Sequence, residues 1–432
     1  MSATLAIMLM IAGCQEPTEV IEENYQPRYL HDAYTHGLYD SGLSETQLGR
    51  LWVEEAEKAL SSPQVIKTPF ATHIYVSETE AKGFGYQFEA LLGQEVTIRL
   101  QEEKSQDGEI FMDLFRINDD PEVPLHHVAS ADTILNEIIF EPKADRTYIL
   151  RLQPELLRKG KYRLEIQSRA ALAFPVSGKD KSAIGSLFGA PRDAGRRKHH
   201  GIDIFSRRHT PIIAPCDGYV RGTEPNMLGG KVIWLKDDER TQVLYFAHLQ
   251  DVLVDEGDYV TEGDTIGTVG NSGNAITTSP HLHFGIYSEG PRDPYNFVVD
   301  PRTRFKRELA KKDRIGDFVR TNKSARLRLL DTASRSITLI EDQLLLVRGT
   351  TGMYYHVELP DGTSGHISYG DIEELSRPLR KKLPEQSDLL DEPSDVSILI
   401  KESSSLKEAE AIALHGDYTF ISIGEEYRWV KS

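Results

Sequence analysis

The chain has 432 residues, long enough for several separate hydrophobic cores, and 27% of them are charged, for a net charge of −17. That acidic balance speaks against nucleic acid as a partner, whose phosphates are bound by clustered cations. Only two cysteines are present, Cys14 and Cys216, so a disulfide-stapled scaffold is excluded and the folded parts must be held by their cores.

The first segment, residues 1–14, runs from Ala3 to Ile11 as an apolar stretch far shorter than the roughly 20 residues that span a bilayer, and it ends in Ile11-Ala12-Gly13-Cys14. That ending resembles a bacterial lipobox, which implies cleavage before Cys14 and lipidation of Cys14, with Gln15 beside it suiting the outer membrane. No Lys or Arg precedes the apolar run, a departure accounted for if translation starts upstream. An ordinary secretory signal cut nearby is the other reading. Residues 25–63 form a helical lead, in which Leu43, Leu48, Leu51, Trp52, Ala56 and Leu60 recur near the helical period and Pro63 ends the run. From Gln64 to about Ala170 the period becomes two, as in Glu95-Val96-Thr97-Ile98-Arg99-Leu100 and Tyr162-Arg163-Leu164-Glu165-Ile166. Short alternating runs recur at Ile74–Val76, Tyr86–Phe88, Phe111–Phe115, Ile138–Phe140 and Tyr148–Leu152, which predicts a β-sandwich over 64–170. Its first and last strands resemble the prepeptidase carboxy-terminal (PPC-like) sandwich, and no catalytic cluster lies in it.

The chemistry is concentrated between residues 182 and 300. Strand residues two or four apart share a face, so His199 and Asp203 fall on one side of His199-His200-Gly201-Ile202-Asp203, and His281 and His283 on one side of a second segment. His199, Asp203 and His283 would supply two nitrogens and one carboxylate to zinc and leave its fourth position open for water, the mark of a catalytic site. His248, on the apolar run Tyr245-Phe246-Ala247-His248-Leu249, would bring a second unligated imidazole beside His281. His200 faces away from His199, His209 follows Arg207 and Arg208 in a loop, and Tyr245 is read as strand packing, with substrate positioning as its other reading.

This stretch resembles the catalytic domain of the lysostaphin-like (LytM-type) zinc metalloendopeptidases. The match runs through Phe188-Gly189-Ala190-Pro191-Arg192, His199-x-Gly-x-Asp203, Ala247-His248-Leu249, Gly263-Asp264-x-Ile-Gly267 and Pro280-His281-Leu282-His283-Phe284. The resemblance implies that His199, Asp203 and His283 bind zinc, that His281 and His248 are catalytic, and that the substrate is the peptide cross-link of bacterial peptidoglycan. In the mechanism it implies, a zinc-held water attacks the scissile carbonyl. No HExxH helix supplies a glutamate base, so imidazoles near neutrality take that part. The alternative is a non-cutting envelope lipoprotein that binds wall or activates other hydrolases, a reading that the complete ligand set disfavours.

Residues 301–314 form a basic linker. Residues 315–376 resemble an SH3-like barrel through Ala325-Arg326-Leu327-Arg328, the run Gln343–Val347 and Tyr355–Ile367, although His366 stands where that family commonly has tryptophan. Past Pro384, residues 384–432 begin as an acidic, polar and disordered linker and close in a hairpin around Gly424. The expected architecture is thus mainly β and multidomain: helical lead, sandwich, antiparallel β peptidase domain and SH3-like barrel. The expected location is the bacterial envelope, with the protein tethered by Cys14 to the outer membrane and facing the periplasm.

Overall fold

The computed structural model describes residues 26–103, 108–131, 135–192, 195–301, 304–305, 307–330, 335–394 and 399–431. Cys14 lies outside them. The helical lead is two helices, Leu30–Asp40 and Gln47–Ser61. Thr46 caps the second by accepting a hydrogen bond from the Gly49 amide. Its apolar stripe places Trp52, fully buried, against Leu38, Ala81 and Phe111, and the indole N–H donates to the Pro154 carbonyl at 2.8 Å. Gly85 is what lets this helix lie on the sheet, since a Cβ there would fall 1.7 Å from the Ala59 carbonyl oxygen.

The predicted sandwich is present, and every alternating run named from the sequence lies in a strand. One layer has the order Gln64–Val65, Phe84–Ala90, Arg146–Pro154, Ile110–Ile117, Leu125–Ser130; the facing layer runs Phe70–Val76, Gly160–Ala170, Gln94–Glu102, Glu137–Phe140. Ile98, Leu114, Leu150, Leu164 and Ile166 fill the space between them.

The second layer does not end at Phe70–Val76. That strand pairs with Leu344–Thr351 of the third unit, with His73 opposite Thr350 and Ile74 opposite Gly349, so one sheet passes from the sandwich into the following unit. An edge strand has unpaired N–H and C=O groups, and here a neighbouring unit satisfies them. Gly349 permits the approach, because a Cβ would sit 1.9 Å from the His73 carbonyl oxygen. The basic linker is correspondingly tied down: Glu308 takes an ion pair from Arg163 at 2.7 Å, and Ala310, with Ile315 just past the linker, is buried in the core of the third unit.

Between these units, residues 182–300 form an antiparallel sheet. Its strand order is Ile184–Ser186, Ile202–Phe205, His281–Tyr287, Val243–Val252, Lys231–Asp237, Gly218–Gly222, Tyr259–Val260. One face covers a core that includes Ile204, Leu235, Leu244, Phe246, Phe284 and Ile286. Cys216 is buried and unpaired in it, with burial pushing its thiol pKa up, as suits an inert residue.

The tail corrects the sequence reading. The expected disordered linker carries the strand Gln386–Leu390, which belongs to a five-stranded sheet with Leu399–Ser405, Glu410–His415, Tyr418–Ile423 and Glu426–Lys431. The pair Leu389-Leu390 is responsible: Leu389 is buried with Ile421 and Val430, a signal that the surrounding acidic composition hides. The predicted hairpin around Gly424 is the last pair of strands, and the unit docks through Leu344, which packs with Ile412, Phe420 and Trp429.

Candidate metal centre

Asp203 and His283 are directly opposite one another on adjacent antiparallel strands, which puts both side chains on the face away from the core. His199 precedes the strand and reaches the same place through a bend at Gly201. Glycine is required there: a Cβ would stand 2.4 Å from the Phe284 carbonyl oxygen and 2.8 Å from the His283 ring. The structure thus brings together the three residues that strand alternation picked out, although His199 itself is not in a strand.

Three donor atoms converge. His199 Nε2 and His283 Nδ1 are 2.9 Å apart, and Asp203 Oδ1 lies 3.0 Å from the first and 3.1 Å from the second. Among the described residues this is the one group of His, Cys, Asp and Glu side chains with the spacing to hold a metal ion. An ion bound tetrahedrally at about 2.0–2.1 Å needs donors about 3.3 Å apart, so a small outward shift of each side chain admits zinc. Two imidazoles and a carboxylate, with no fourth protein donor, match an open site rather than a closed structural one. Burial would raise the Asp203 carboxyl pKa, but the His199 and His283 rings against it overcome that and hold the pKa well below the usual carboxylate range. Burial lowers the His283 pKa, keeping its imidazole neutral and able to coordinate.

The surroundings fix each donor. His199 Nδ1 is 2.9 Å from the Leu187 carbonyl, which can only accept, so the proton is on Nδ1 and Nε2 is the lone-pair donor. Arg192 donates to Asp203 Oδ2 and, at 2.8 Å, to Ser186 Oγ, which leaves Oδ1 as the oxygen turned to the two histidines. Arg192 was visible in the sequence only as part of a motif, with no role attached. Nothing in its spacing showed that its guanidinium would reach Asp203.

His248 and His281 stand beside the triad, with ring centroids 5.0 Å apart and His248 6.0 Å from His283. Both are buried, and each has Nδ1 against a carbonyl, His248 on Ser272 at 3.0 Å and His281 on Ser279 at 2.8 Å. Each therefore carries its proton on Nδ1 and presents Nε2 as a free base. Burial, with the neighbouring His281, pulls the His248 pKa down to about 4. In a regular strand His248 would face opposite to Ala247, which is paired with His283. A left-handed backbone, φ 65°, breaks that alternation and brings the ring round to His281. A non-glycine residue in this region costs about 1–3 kcal/mol and is typical of working sites. His200 is exposed, and His209, also exposed, pairs with Asp251 at 3.2 Å; neither joins the cluster.

A sheet face bearing two imidazoles and one carboxylate around an open position, with two further imidazoles alongside, defines a metallohydrolase type of centre. Residues 197–295 match the model of peptidase family M23. The L-Ala–D-Glu endopeptidase of Bacillus subtilis (strain 168) is 35% identical over 140 residues, which cover 31% of this chain and 43% of that protein. The peptidoglycan DD-endopeptidase ShyC of Vibrio cholerae is 35% identical over 94 residues, 22% of this chain and 21% of that one. Among solved structures, the catalytic domain of lysostaphin from Staphylococcus simulans is 32% identical, covering 26% of this chain and 89% of that one at a TM-score of 0.24. The chain thus spans less than half the length of the two curated relatives.

Proposed function

We propose that this protein is a zinc endopeptidase that cuts the peptide cross-links of bacterial peptidoglycan, with His199, Asp203 and His283 as ligands and His248 and His281 as catalytic residues. The observation that carries the reading is the convergence of His199 Nε2, Asp203 Oδ1 and His283 Nδ1 beside two imidazoles whose Nε2 atoms are free. Relatives named as peptidoglycan endopeptidases support the substrate class. Zinc held by this set would polarise the scissile carbonyl and bring the pKa of water to about 7. The chain's own part is proton handling: an Nε2 of the His248–His281 pair takes the proton of the attacking water, and the pair returns it to the amine that leaves. Until it is returned, the protonated Nε2 can donate to the carbonyl oxygen as it gains negative charge. Incubation of the purified protein with wall sacculi should release peptide fragments with new amino termini, a chelator should stop the release, and zinc should restore it. Zinc-loaded protein that releases nothing would leave the wall-binding or hydrolase-activating role instead.

Arg192 is the outer partner of the metal ligand Asp203. Losses of such partners cost about 10- to 100-fold in metal affinity or activity, so Arg192→Ala should weaken zinc binding by that order in competition with a chromogenic chelator. Unchanged affinity would assign the guanidinium another task.

The proposal places the enzyme in the cell envelope, tethered through lipidated Cys14. No helix among the described residues is long and apolar enough to cross a membrane. Stable attachment needs more than one acyl chain, which the multiple chains of a lipoprotein provide. Cys14→Ser should move the activity into the soluble envelope fraction; retention of that variant on membranes would reject the anchor. The PPC-like sandwich and the SH3-like unit serve in this reading as spacer and wall-facing arms, joined by the sheet that runs from one to the other.

A further inference from the structure

The face that carries Asp203 and His283 also carries a row of three aromatic rings. Trp234 is opposite Tyr245 on the neighbouring strand, and Tyr245 is opposite Gly285, which lies between His283 and Tyr287 on the same face. The ring centroids of Trp234 and Tyr245 are 4.2 Å apart, Trp234 and Tyr287 5.6 Å, and Tyr245 sits edge-on to the metal ligand His283 at 5.9 Å. The row therefore begins at the metal centre and leads away from it. These rings are not the domain core, which lies on the other face and is built there from Leu235, Leu244, Phe246, Phe284 and Ile286. All three are half-buried, leaving ring surface at the floor of the site. Gly285 keeps that floor open, since a Cβ would come within 3.0 Å of the Tyr287 ring.

Tyr245 is also locked in place. Asn226 Nδ2 donates to its hydroxyl at 3.2 Å, and the backbone at Gly229 closes over it so tightly that a Cβ there would lie 2.1 Å from the hydroxyl oxygen. The loop that does this presents Met227 and Leu228 to solvent, 95% and 56% exposed, and a second loop exposes Ile276 at 72%. The Asn274 amide joins the two loops by donating to the Leu228 carbonyl at 3.1 Å. An aromatic floor beneath an aliphatic rim, starting one side chain from the metal ligands, recognises hydrocarbon.

We infer that Trp234, Tyr245 and Tyr287 form a specificity subsite for an alkyl side chain on the residue flanking the scissile bond, so that the enzyme takes cross-links bearing such a side chain over glycine-only bridges. This rests on the proposed peptidase reading. Glycine offers the row nothing to bury, whereas even one methylene in an apolar pocket is worth about 10- to 200-fold in discrimination.

The test uses zinc-loaded full-length protein and two synthetic peptides, one with an alkyl side chain beside the scissile bond and one of glycine alone. A reduced-amide analogue of the first, which cannot be cut, serves as a binding probe. Wild type should prefer the alkyl peptide, and Trp234→Ala and Tyr287→Ala should each lower its kcat/KM by about tenfold or more while leaving the glycine peptide unchanged, which also shows that the variants fold. Trp234 can be read directly: of the three tryptophans, Trp52 and Trp429 are buried at 0% and 5% exposure. The analogue should shift tryptophan emission in wild type and not in Trp234→Phe. Cutting without preference, or equal losses on both peptides, overturns the subsite and leaves the peptidase reading standing. A saturable emission shift with neither peptide cut sinks the peptidase reading and the specificity role that rests on it, while showing that Trp234 meets the ligand; no shift and no cutting sinks both outright.

Discussion

His199→Ala and His283→Ala should each abolish zinc binding and, with it, hydrolysis of wall peptides. Each removes one of three protein bonds to an ion that keeps its last position for water. The loss should exceed the roughly 10- to 100-fold that removal of an outer-shell partner costs. The structure predicts that the fold survives. In His199→Ala the Asp203 carboxylate keeps His283 at 3.1 Å and Arg192 on its other oxygen, so no buried charge is left without a partner. Metal content therefore separates the ligand role from a structural one, and thermal unfolding gives a second readout. Zinc at about a hundred times its dissociation constant stabilises a protein that binds it by about 2.7 kcal/mol. That gain should appear in wild type and vanish in both variants and in Asp203→Asn. A variant that kept stoichiometric zinc and normal turnover would show that the three atoms meet for another reason.

The convergence of Asp203 and His283 was readable because a strand repeats every two residues, and spacing within a strand is a local property. His281 and His283 share a face for that reason, and Asp203 meets His283 because their strands pair in register. His248 was expected beside His281 from its apolar run and the family resemblance, and the structure puts it there, but the turn that does so was not legible. Its backbone at φ 65° carries no sequence mark, because the residue is not glycine and the tertiary structure imposes the turn. Arg192, Trp234 and Tyr287 were beyond reach for a different reason. Their roles arise from cross-strand and loop contacts between segments far apart in the chain, and a single sequence does not encode which strands are neighbours. The same limit hid the joining of Phe70–Val76 to Leu344–Thr351, a pairing across more than 250 residues that only the assembled sheet shows. In the tail the failure was one of averaging: acidic composition outweighed Leu389, whose burial builds the strand.

His281→Ala and His248→Ala should retain zinc and lose most hydrolysis, the reverse of the ligand variants. Neither ring belongs to the group of converging donor atoms, and each has its Nδ1–H committed to a backbone carbonyl, Ser279 for His281 and Ser272 for His248. What alanine removes is the free Nε2, a base near the reacting carbonyl, and such groups contribute about a hundred- to ten-thousandfold to rate. The environments of the two rings differ, so the two losses should differ in kind. Burial and His281 hold His248 neutral, with a pKa near 4, which favours taking a proton at neutral pH over arriving already charged. His248→Gln keeps a hydrogen-bond donor but no base. It should recover part of the rate if His248 chiefly holds the developing oxyanion, and none if it moves the proton. Zinc content measured beside kcat decides the rest. A His281→Ala protein isolated without metal would mean that ligand and catalyst are exchanged within His281-Leu282-His283, and that His283 Nδ1 meets Asp203 Oδ1 only as a hydrogen-bond partner.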